Sequence, residues 1–297
     1  MKNWDWGLIL ICVVLAFAIF GGAKNTKLAP LQTGAAIPSP SERQLSSSEI
    51  EENIRATQYK LEQLQKETAL LEEKKNSSVY KGKIYMSVNT SSDASTEYVD
   101  IYTDSSTKEP INITGWKLVS TSTNQSVTIP KSTLLYFAGQ TNSEQDVYLG
   151  PNEHAYIITG RSPIGYGFKT NKCSGYLSQY TNFYPGVWTN CPAPRDEDQS
   201  SIPRRVINDS CFDLINSLGS CRIPEPLSNA YSSECQDFLI KKINYPYCIS
   251  NHKNDKDFWG SSWYVYLKRS EPLWKYRRET VILYDATGKL VTQVIKY

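Results

Sequence analysis

Six cysteines in the second half of the chain are the residues whose type and spacing most clearly indicate chemistry. They lie within one stretch of 76 residues, and no two of them form the Cys-x-x-Cys pair that is typical of zinc sites. We therefore predict disulfide bonds, which form in an oxidising compartment and not in the cytosol. The predicted disulfide residues are Cys173, Cys191, Cys211, Cys221, Cys235 and Cys248.

Two predicted helices suggest one way in which these cysteines could pair. Segments 208–218 and 232–243 each carry apolar residues at helical spacing, and Gly219 ends the first of them. If the helices are antiparallel, the residue that enters the first should meet the residue that leaves the second. Other connectivities stay open, because sequence alone does not fix the pairing. The predicted pairs are Cys211 with Cys248, Cys221 with Cys235, and Cys173 with Cys191.

Residues suited to catalysis are few. The two histidines, His154 and His252, are far apart in sequence, and we predict that His154 is a surface turn residue. The sequence lacks the serine-hydrolase elbow, the zinc-protease helix motif and the phosphate-binding glycine loop. Asp255 and Asp257 are spaced unlike the ligands of a calcium-binding EF-hand, so a solvated turn is predicted. The sequence thus predicts no catalytic residue, no metal and no cofactor.

A mixture of aromatic and basic residues near the C-terminus is the best candidate for a ligand or partner surface. Aromatic rings stack on sugars or bases, and neighbouring cations attract anionic groups. The alternative is core packing, because residues 263–267 (WYVYL) alternate like a buried strand. A net charge of +2 gives no overall attraction to nucleic acid. The candidate surface residues are Trp259, Trp274, Tyr276 and Arg277.

The first 23 residues predict a membrane segment. Residues 6–22 form an uncharged, largely apolar run of 17 residues, just long enough to cross a hydrocarbon core of about 30 Å as a helix. We predict an uncleaved single-pass anchor at 1–23, with a cleavable signal peptide as the alternative because residues 21–23 are small. The lysines around the run weakly favour a cytoplasmic body. The cysteines favour an extracytoplasmic body, at the cell surface or in the periplasm, and we follow the cysteines.

Two segments separate this anchor from the folded body. Residues 24–48, rich in Pro, Ser and Ala, predict a flexible linker, and residues 49–76 predict a coiled-coil helix. A single solvated helix and a homo-oligomer are both compatible with the seam, because two of its positions are threonines. The seam residues are Ile50, Ile54, Thr57, Leu61, Leu64, Thr68 and Leu71.

Alternation with a period of two replaces the helical pattern from Val79 onward and predicts a β-rich body over 79–297, with a cysteine-rich, partly helical insert at 171–270. Eight short strands separated by turn residues fit a β-sandwich. We predict that Gly115 permits a close backbone approach, and that Trp116 and Leu118 fill the core between the sheets. The predicted strands are 84–88, 98–102, 116–120, 127–129, 147–149, 155–158, 281–284 and 290–295.

Several short motifs in this body occur in the order found in a known family. They are 97–102 (EYVDIY), Gly115-Trp116-x-Leu118, 128–130 (TIP) with Ala138-Gly139, 156–160 (YIITG), and 281–285 (VILYD) with Gly288. Over about 87–170 and 278–297 the chain resembles a lamin-tail domain of the bacterial secreted or surface type. The resemblance implies an immunoglobulin-like sandwich and no catalysis. The cysteine-rich middle departs from the family, so no binding residue is carried over from it.

Together these features predict a membrane-anchored, extracytoplasmic structural or interaction module without catalytic activity. A cell-envelope glycan-binding module is the main alternative, and a nucleic-acid-binding surface protein or a cryptic hydrolase is more distant. The expected partners are the membrane, a second copy through the coiled coil, and an unidentified protein or glycan.

Overall fold

The computed structural model describes residues 46–137, 139–188, 190–197, 209–223 and 231–297. The described chain is mainly β, with several sheets and three disulfides. The predicted anchor at 1–23 and all but the last residues of the predicted linker at 24–48 lie outside the described residues. Within the described ranges, no helix combines the length and apolar character needed to cross a membrane.

Thirteen strands are present in the described residues. Their bounds are β1 Ile84–Asn89, β2 Tyr98–Thr103, β3 Ile111–Asn112, β4 Lys117–Ser120, β5 Ser126–Thr128, β6 Ser132–Thr133, β7 Glu144–Gln145, β8 Tyr148–Leu149, β9 His154–Ile158, β10 Phe168–Asn171, β11 Trp259–Tyr266, β12 Glu279–Tyr284 and β13 Leu290–Lys296. Five of them, β3, β6, β7, β10 and β11, are additional to the eight predicted ones, all of which are present.

The helices are α1 Ser47–Asn76, α2 Asp209–Ser217, α3 Ser233–Lys242 and α4 Tyr245–His252, and 3-10 turns cover Ser174–Ser178 and Pro194–Asp196. Helix α1 matches the predicted helix at 49–76 and begins at a capping box: the Ser46 amide donates to Glu49 at 2.8 Å, and the Glu49 amide donates to Ser46 Oγ at 3.4 Å. None of its side chains is buried, and its apolar seam is about half exposed. The coiled coil therefore stays a prediction.

The strands form a seven-stranded sheet in the order β1-β2-β9-β11-β10-β6-β7, a four-stranded sheet in the order β13-β12-β4-β5, and the small pair β3-β8. In β2, Val99 and Ile101 are fully buried while Tyr98, Asp100 and Tyr102 face outward, as the period of two in a strand requires. In β12, Val281 and Leu283 are buried in the same way. Buried residues from both sheets belong to one hydrophobic core.

Trp116 lies in this core with 2% of its surface exposed, its ring 5.1 Å from that of Tyr80, and Leu118 is fully buried beside it. Gly115 precedes it at φ +81°, and a Cβ at this position would meet no atom within 4 Å. The prediction that Gly115 permits a close approach is therefore wrong. The backbone here adopts the left-handed conformation, which favours glycine because it has no side chain.

Strand β11 lies inside the segment predicted as an insert, 171–270, yet it occupies the centre of the seven-stranded sheet. It runs parallel to β9 and antiparallel to β10. The chain thus leaves the sheet after Asn171 and returns to it at Trp259. Residues 263–266 are all buried, because one face of β11 contacts the core between the sheets and the other contacts a second core.

We call the segment between β10 and β11 the excursion. Its described residues pack around the second hydrophobic core. The helices predicted at 208–218 and 232–243 are present, whereas α4 was not predicted; Asn244 caps it by accepting a hydrogen bond from the Tyr247 amide at 2.8 Å. All six predicted cysteines form disulfides, but the predicted pairing is wrong. The observed pairs are Cys173–Cys248, Cys191–Cys221 and Cys211–Cys235.

The reason lies in the orientation of the two helices. Cys211 is in the first turn of α2 and Cys235 is in the first turn of α3, with 6.0 Å between their Cα atoms. The N-terminal ends of the helices are therefore adjacent, whereas an antiparallel hairpin would hold them at opposite ends. Cys248 lies in the unpredicted helix α4 and pairs with Cys173 at the end of β10.

Candidate functional site

The outer face of the seven-stranded sheet carries a cleft of about 250 Å³ between strands β9, β10 and β11 on one side and Gly186, Trp188 and Asn190 on the other. The cleft residues Tyr156 in β9 and Tyr264 in β11 alternate with residues of the core between the sheets, so the sheet fixes their direction. Gly260 forms part of the floor, where a Cβ would collide with Thr170 Oγ1. The side chains that line the cleft include Tyr156, Tyr264, Trp188, Lys172, Asp257 and Asn190.

Trp188 stands out at the rim of this cleft because 84% of its surface is exposed. The loop that carries it is held on both sides. Before Trp188, the Tyr264 hydroxyl donates a hydrogen bond to the Gly186 carbonyl oxygen at 2.9 Å, and Phe183 is buried with its ring 6.1 Å from that of Tyr264. After Trp188, Cys191 is buried in its disulfide with Cys221. The exposed ring is thus presented by an anchored segment.

One wall of the cleft is charged. Lys172 Nζ lies 2.6 Å from Asp257 Oδ1 and 2.9 Å from Asp255 Oδ2. Lys172 donates a hydrogen bond to each of the two carboxylates, and these bonds raise the pKa of Lys172 and lower the pKa of both aspartates. All three groups are therefore charged at neutral pH. Asp255 and Asp257, predicted as a solvated turn, instead hold this lysine in place, although 75% of the Asp257 side chain stays exposed.

His252 extends the charged wall into a longer network. Its Nδ1 lies 2.8 Å from Asp255 Oδ2, and its Nε2 lies 2.8 Å from Glu197 Oε1. Burial alone would lower the pKa of this imidazole, but the hydrogen bonds and charges of Asp255 and Glu197 together outweigh burial and raise it. The network ties α4 to the 190–197 segment and, through Lys172, to the end of β10.

A row of rings leads away from the cleft across the same sheet face. Successive ring centroids are 5.9 Å apart from Tyr156 to His154, 5.4 Å from His154 to Tyr102, and 5.6 Å from Tyr102 to Tyr85, each pair stacked. We call these four residues the aromatic stripe. His154 lies in β9 and not in a turn as predicted, and its Nδ1 is 3.1 Å from Asp100. Burial raises the pKa of Asp100, although His154 opposes the shift.

The residues predicted as a ligand surface do not form one surface. Trp274 lies in the core between the sheets with 3% exposure, whereas Trp259 is 42% exposed. Tyr276 and Arg277 are exposed in the segment before β12, with Lys296 Nζ 5.8 Å from the Tyr276 ring centre. Trp259 precedes Gly260 in β11, so it points to the opposite face from the cleft residues Gly260 and Tyr264.

Two buried carboxylates explain why Trp274 is held inside. Glu97 accepts hydrogen bonds from the backbone amides of Leu273 at 2.7 Å and Trp274 at 3.1 Å. Glu279 accepts from the Lys275 amide at 2.9 Å and from Ser120 Oγ. Burial raises the pKa of Glu97, and the two amides act against that shift. These carboxylates fix the backbone of residues 273–275, which we call the return segment.

Trp188, the most exposed tryptophan in the described chain, is not among the residues that the sequence predicts as a ligand surface. The available signal was a single large ring in a turn-rich segment, 184–191 (YPGVWTNC), that has no apolar periodicity to place it in a core. In the described residues, no cluster of three or more His, Cys, Asp or Glu side chains is arranged to hold a metal ion. With the exposed ring of Trp188 and several polar side chains at its border, the cleft can stack a ring-shaped ligand and hydrogen-bond to it.

No protein-family model matches the chain, and no curated protein or solved structure matches it either. The resemblance to a lamin-tail domain accordingly stays a prediction.

Proposed function

We propose that this chain is a membrane-anchored, extracytoplasmic binding module without catalytic activity, and that the cleft under Trp188 is its ligand site. The observation that carries the proposal is the anchored presentation of Trp188. A large apolar ring in water contributes nothing to folding, yet the hydrogen bond at Gly186 and the disulfide at Cys191 fix the segment on both sides of it. Such rigid, exposed rings are typical contact residues of binding sites.

The ionisable groups support a binding role over a hydrolytic one. Both nitrogens of His252 lie 2.8 Å from carboxylates, and His154 contacts Asp100. Glu97 and Glu279 accept hydrogen bonds from backbone amides, which makes them structural groups. A general base needs a free lone pair within reach of a substrate proton, and His252 offers none because both of its nitrogens are engaged.

The compartment rests on the three disulfides, since such bonds persist outside the cytosol. The anchor at 1–23 rests on the apolar run 6–22, and the attribution of the two-sheet body to an immunoglobulin-like, lamin-tail type rests on the order of its motifs. The helix α1, with its exposed apolar seam, is suited to bring two modules together near a membrane.

Two measurements on the full chain in intact cells test this proposal. Externally added protease should cleave the body, and a non-reducing peptide map should recover the three observed disulfides. A body that is protected and carries reduced cysteines would overturn the compartment and with it the proposed function.

The binding role is tested by placing a photo-crosslinking benzophenone amino acid at position 188 and, as the matched control, at position 259. Both tryptophans are exposed, but only Trp188 lines the cleft. A light-dependent adduct with envelope material is expected at 188 and not at 259. Equal labelling at both positions, or none at 188, would contradict the assignment of the ligand site.

A further inference from the structure

The cleft under Trp188 combines a stacking ring with hydrogen-bonding groups on rigid elements, and this combination restricts the ligand. Its floor is formed by β9, β10 and β11, and its rim by Trp188 and Asn190. Tyr156 and Tyr264 lie inside, with their ring centres 5.4 Å apart in an edge-to-face arrangement. Apolar ring faces and polar side chains therefore border the same space.

The charge of the cleft distinguishes polyanionic ligands from neutral ones. The charged side chains that line the cleft are one cation, Lys172, and one anion, Asp257, which pair with each other, so the cleft carries no surplus of positive charge at neutral pH. Nucleic acids and other polyanions need a surplus of positive charge, because phosphate contacts dominate their affinity. A neutral ligand has no such requirement.

A neutral sugar matches both features. The C–H groups on one face of a pyranose ring are slightly positive and apolar, which suits the negative face of an aromatic ring. Its hydroxyls both donate and accept, so they pair with the carboxylate of Asp257 and the amide of Asn190. Asp257 is well placed for this because 75% of its side chain is exposed while its carboxylate contact with Lys172 holds it in position.

We propose that this cleft binds a neutral glycan, with Trp188 as the stacking platform and Asp257 and Asn190 as partners for the sugar hydroxyls. This inference rests on the proposed binding function and names its ligand class. The aromatic stripe continues from Tyr156 through His154 and Tyr102 on the same sheet face. The ligand is therefore an oligosaccharide chain that extends from the cleft along the stripe, and not an isolated monosaccharide.

The test uses the purified full chain in detergent on an array of neutral hexose and N-acetylhexosamine oligosaccharides, sulfated oligosaccharides and single-stranded DNA. The best neutral oligosaccharide is then titrated by calorimetry. Trp188→Ala should weaken its binding at least tenfold, and Trp188→Tyr should restore part of the affinity because a ring is present again. Trp259→Ala, an exposed tryptophan outside the cleft, should bind like the unchanged protein.

Chain length gives a second readout. Tyr102→Ala should weaken long oligosaccharides while leaving the shortest bound ones unaffected, because Tyr102 lies two rings beyond the cleft residue Tyr156. Thermal unfolding checks that each variant is folded, and truncation of so exposed a ring as Trp188 should not change it.

Three outcomes would overturn the inference. Binding confined to sulfated sugars or DNA would show a polyanion site. Equal losses of affinity in Trp188→Ala and Trp259→Ala would place the sugar outside the cleft. No binding to any neutral sugar would exclude neutral glycans as the ligand class. If the photo-crosslink at 188 still forms in intact cells, the binding function stands and only the glycan assignment fails. A reduced, protected body in cells would instead remove the proposed function, whatever the array shows.

Discussion

Cys173 and Cys248 are bonded to each other although 75 positions separate them in sequence, and the bond fastens the end of β10 to helix α4. The excursion that carries Trp188 is thereby closed at its base. Asn171 at the end of β10 pairs with Trp259 at the start of β11, so the same closure aligns two strands of the cleft floor.

The Cys173–Cys248 bond should stabilise the protein more than the Cys211–Cys235 bond, which spans 24 positions. Closing the longer loop removes more entropy from the unfolded chain, and the difference amounts to about 1 kcal/mol in the chain-entropy model. Urea unfolding of the double variants Cys173→Ser/Cys248→Ser and Cys211→Ser/Cys235→Ser measures it. All four cysteines are buried, so the two variants are matched in burial. A larger loss from the shorter loop would contradict the expectation.

The His252 network should make stability depend on pH. Because the folded-state pKa of His252 is raised above its ordinary value of 6.5, its stabilising effect is complete below that value. The effect is lost as pH rises through the higher folded-state pKa. Urea midpoints compared at pH 5.5 and pH 8 should therefore differ more for the unchanged protein than for His252→Gln. Asn251→Gln, a change at an exposed neighbour, should keep the full difference; a His252→Gln profile as steep as the original would count against the network.

Glu97→Gln should destabilise the body by about 1 to 3 kcal/mol. The buried carboxylate accepts hydrogen bonds from two backbone amides, whereas the glutamine side chain has one acceptor oxygen and an NH2 group that can only donate. One of the backbone amides of Leu273 and Trp274 then loses its partner inside the fold. Glu109→Gln removes a charge of the same sign from an exposed position and serves as the control. Thermal unfolding of the three proteins gives the comparison, and equal melting temperatures would show that Glu97 does not hold the return segment.

Gly115→Ala should cost about 1 to 2 kcal/mol because its φ of +81° lies in the left-handed region. Gly186→Ala is the matched control, since a Cβ there also meets no atom within 4 Å but the backbone is not left-handed. The control should change stability by less than about 0.5 kcal/mol. Urea unfolding distinguishes the cases, and equal effects at both positions would remove backbone conformation as the explanation.

The sequence predicts those parts of the fold in which one face of an element is buried. Strand β2 alternates cleanly because Val99 and Ile101 are buried while Tyr98 and Tyr102 are outside, and α3 shows its apolar face in the same way. Strand β11 is buried on both faces over 263–266, so its alternation does not distinguish a sheet centre from the core of an insert. Its position follows from pairing with β9 and β10, which are distant in sequence.

The cleft is less predictable because its residues come from separate parts of the chain. Tyr156, Lys172, Trp188 and Asp257 meet only after the excursion has left and rejoined the sheet. Trp274 shows the opposite case: its neighbours Lys275 and Arg277 indicate a surface, but Glu97 binds its backbone amide and the ring enters the core. The disulfide pairing is unpredictable for a similar reason. Cys248 lies in α4, and this helix is too short to show a clear apolar pattern in the sequence.

The place of β11 in the sheet also has a consequence for the order in which the protein matures. A ribosome completes β9 and β10 long before β11, yet β11 lies between them, and Trp263 pairs with Ala155 across more than a hundred intervening positions. The nascent sheet therefore lacks its central strand until residue 266 has emerged. Pairing across such a separation is slow because a long loop must close first. A disulfide between Cys173 and Cys248 shortens that loop, so its formation lowers the entropy cost of inserting β11 into the sheet.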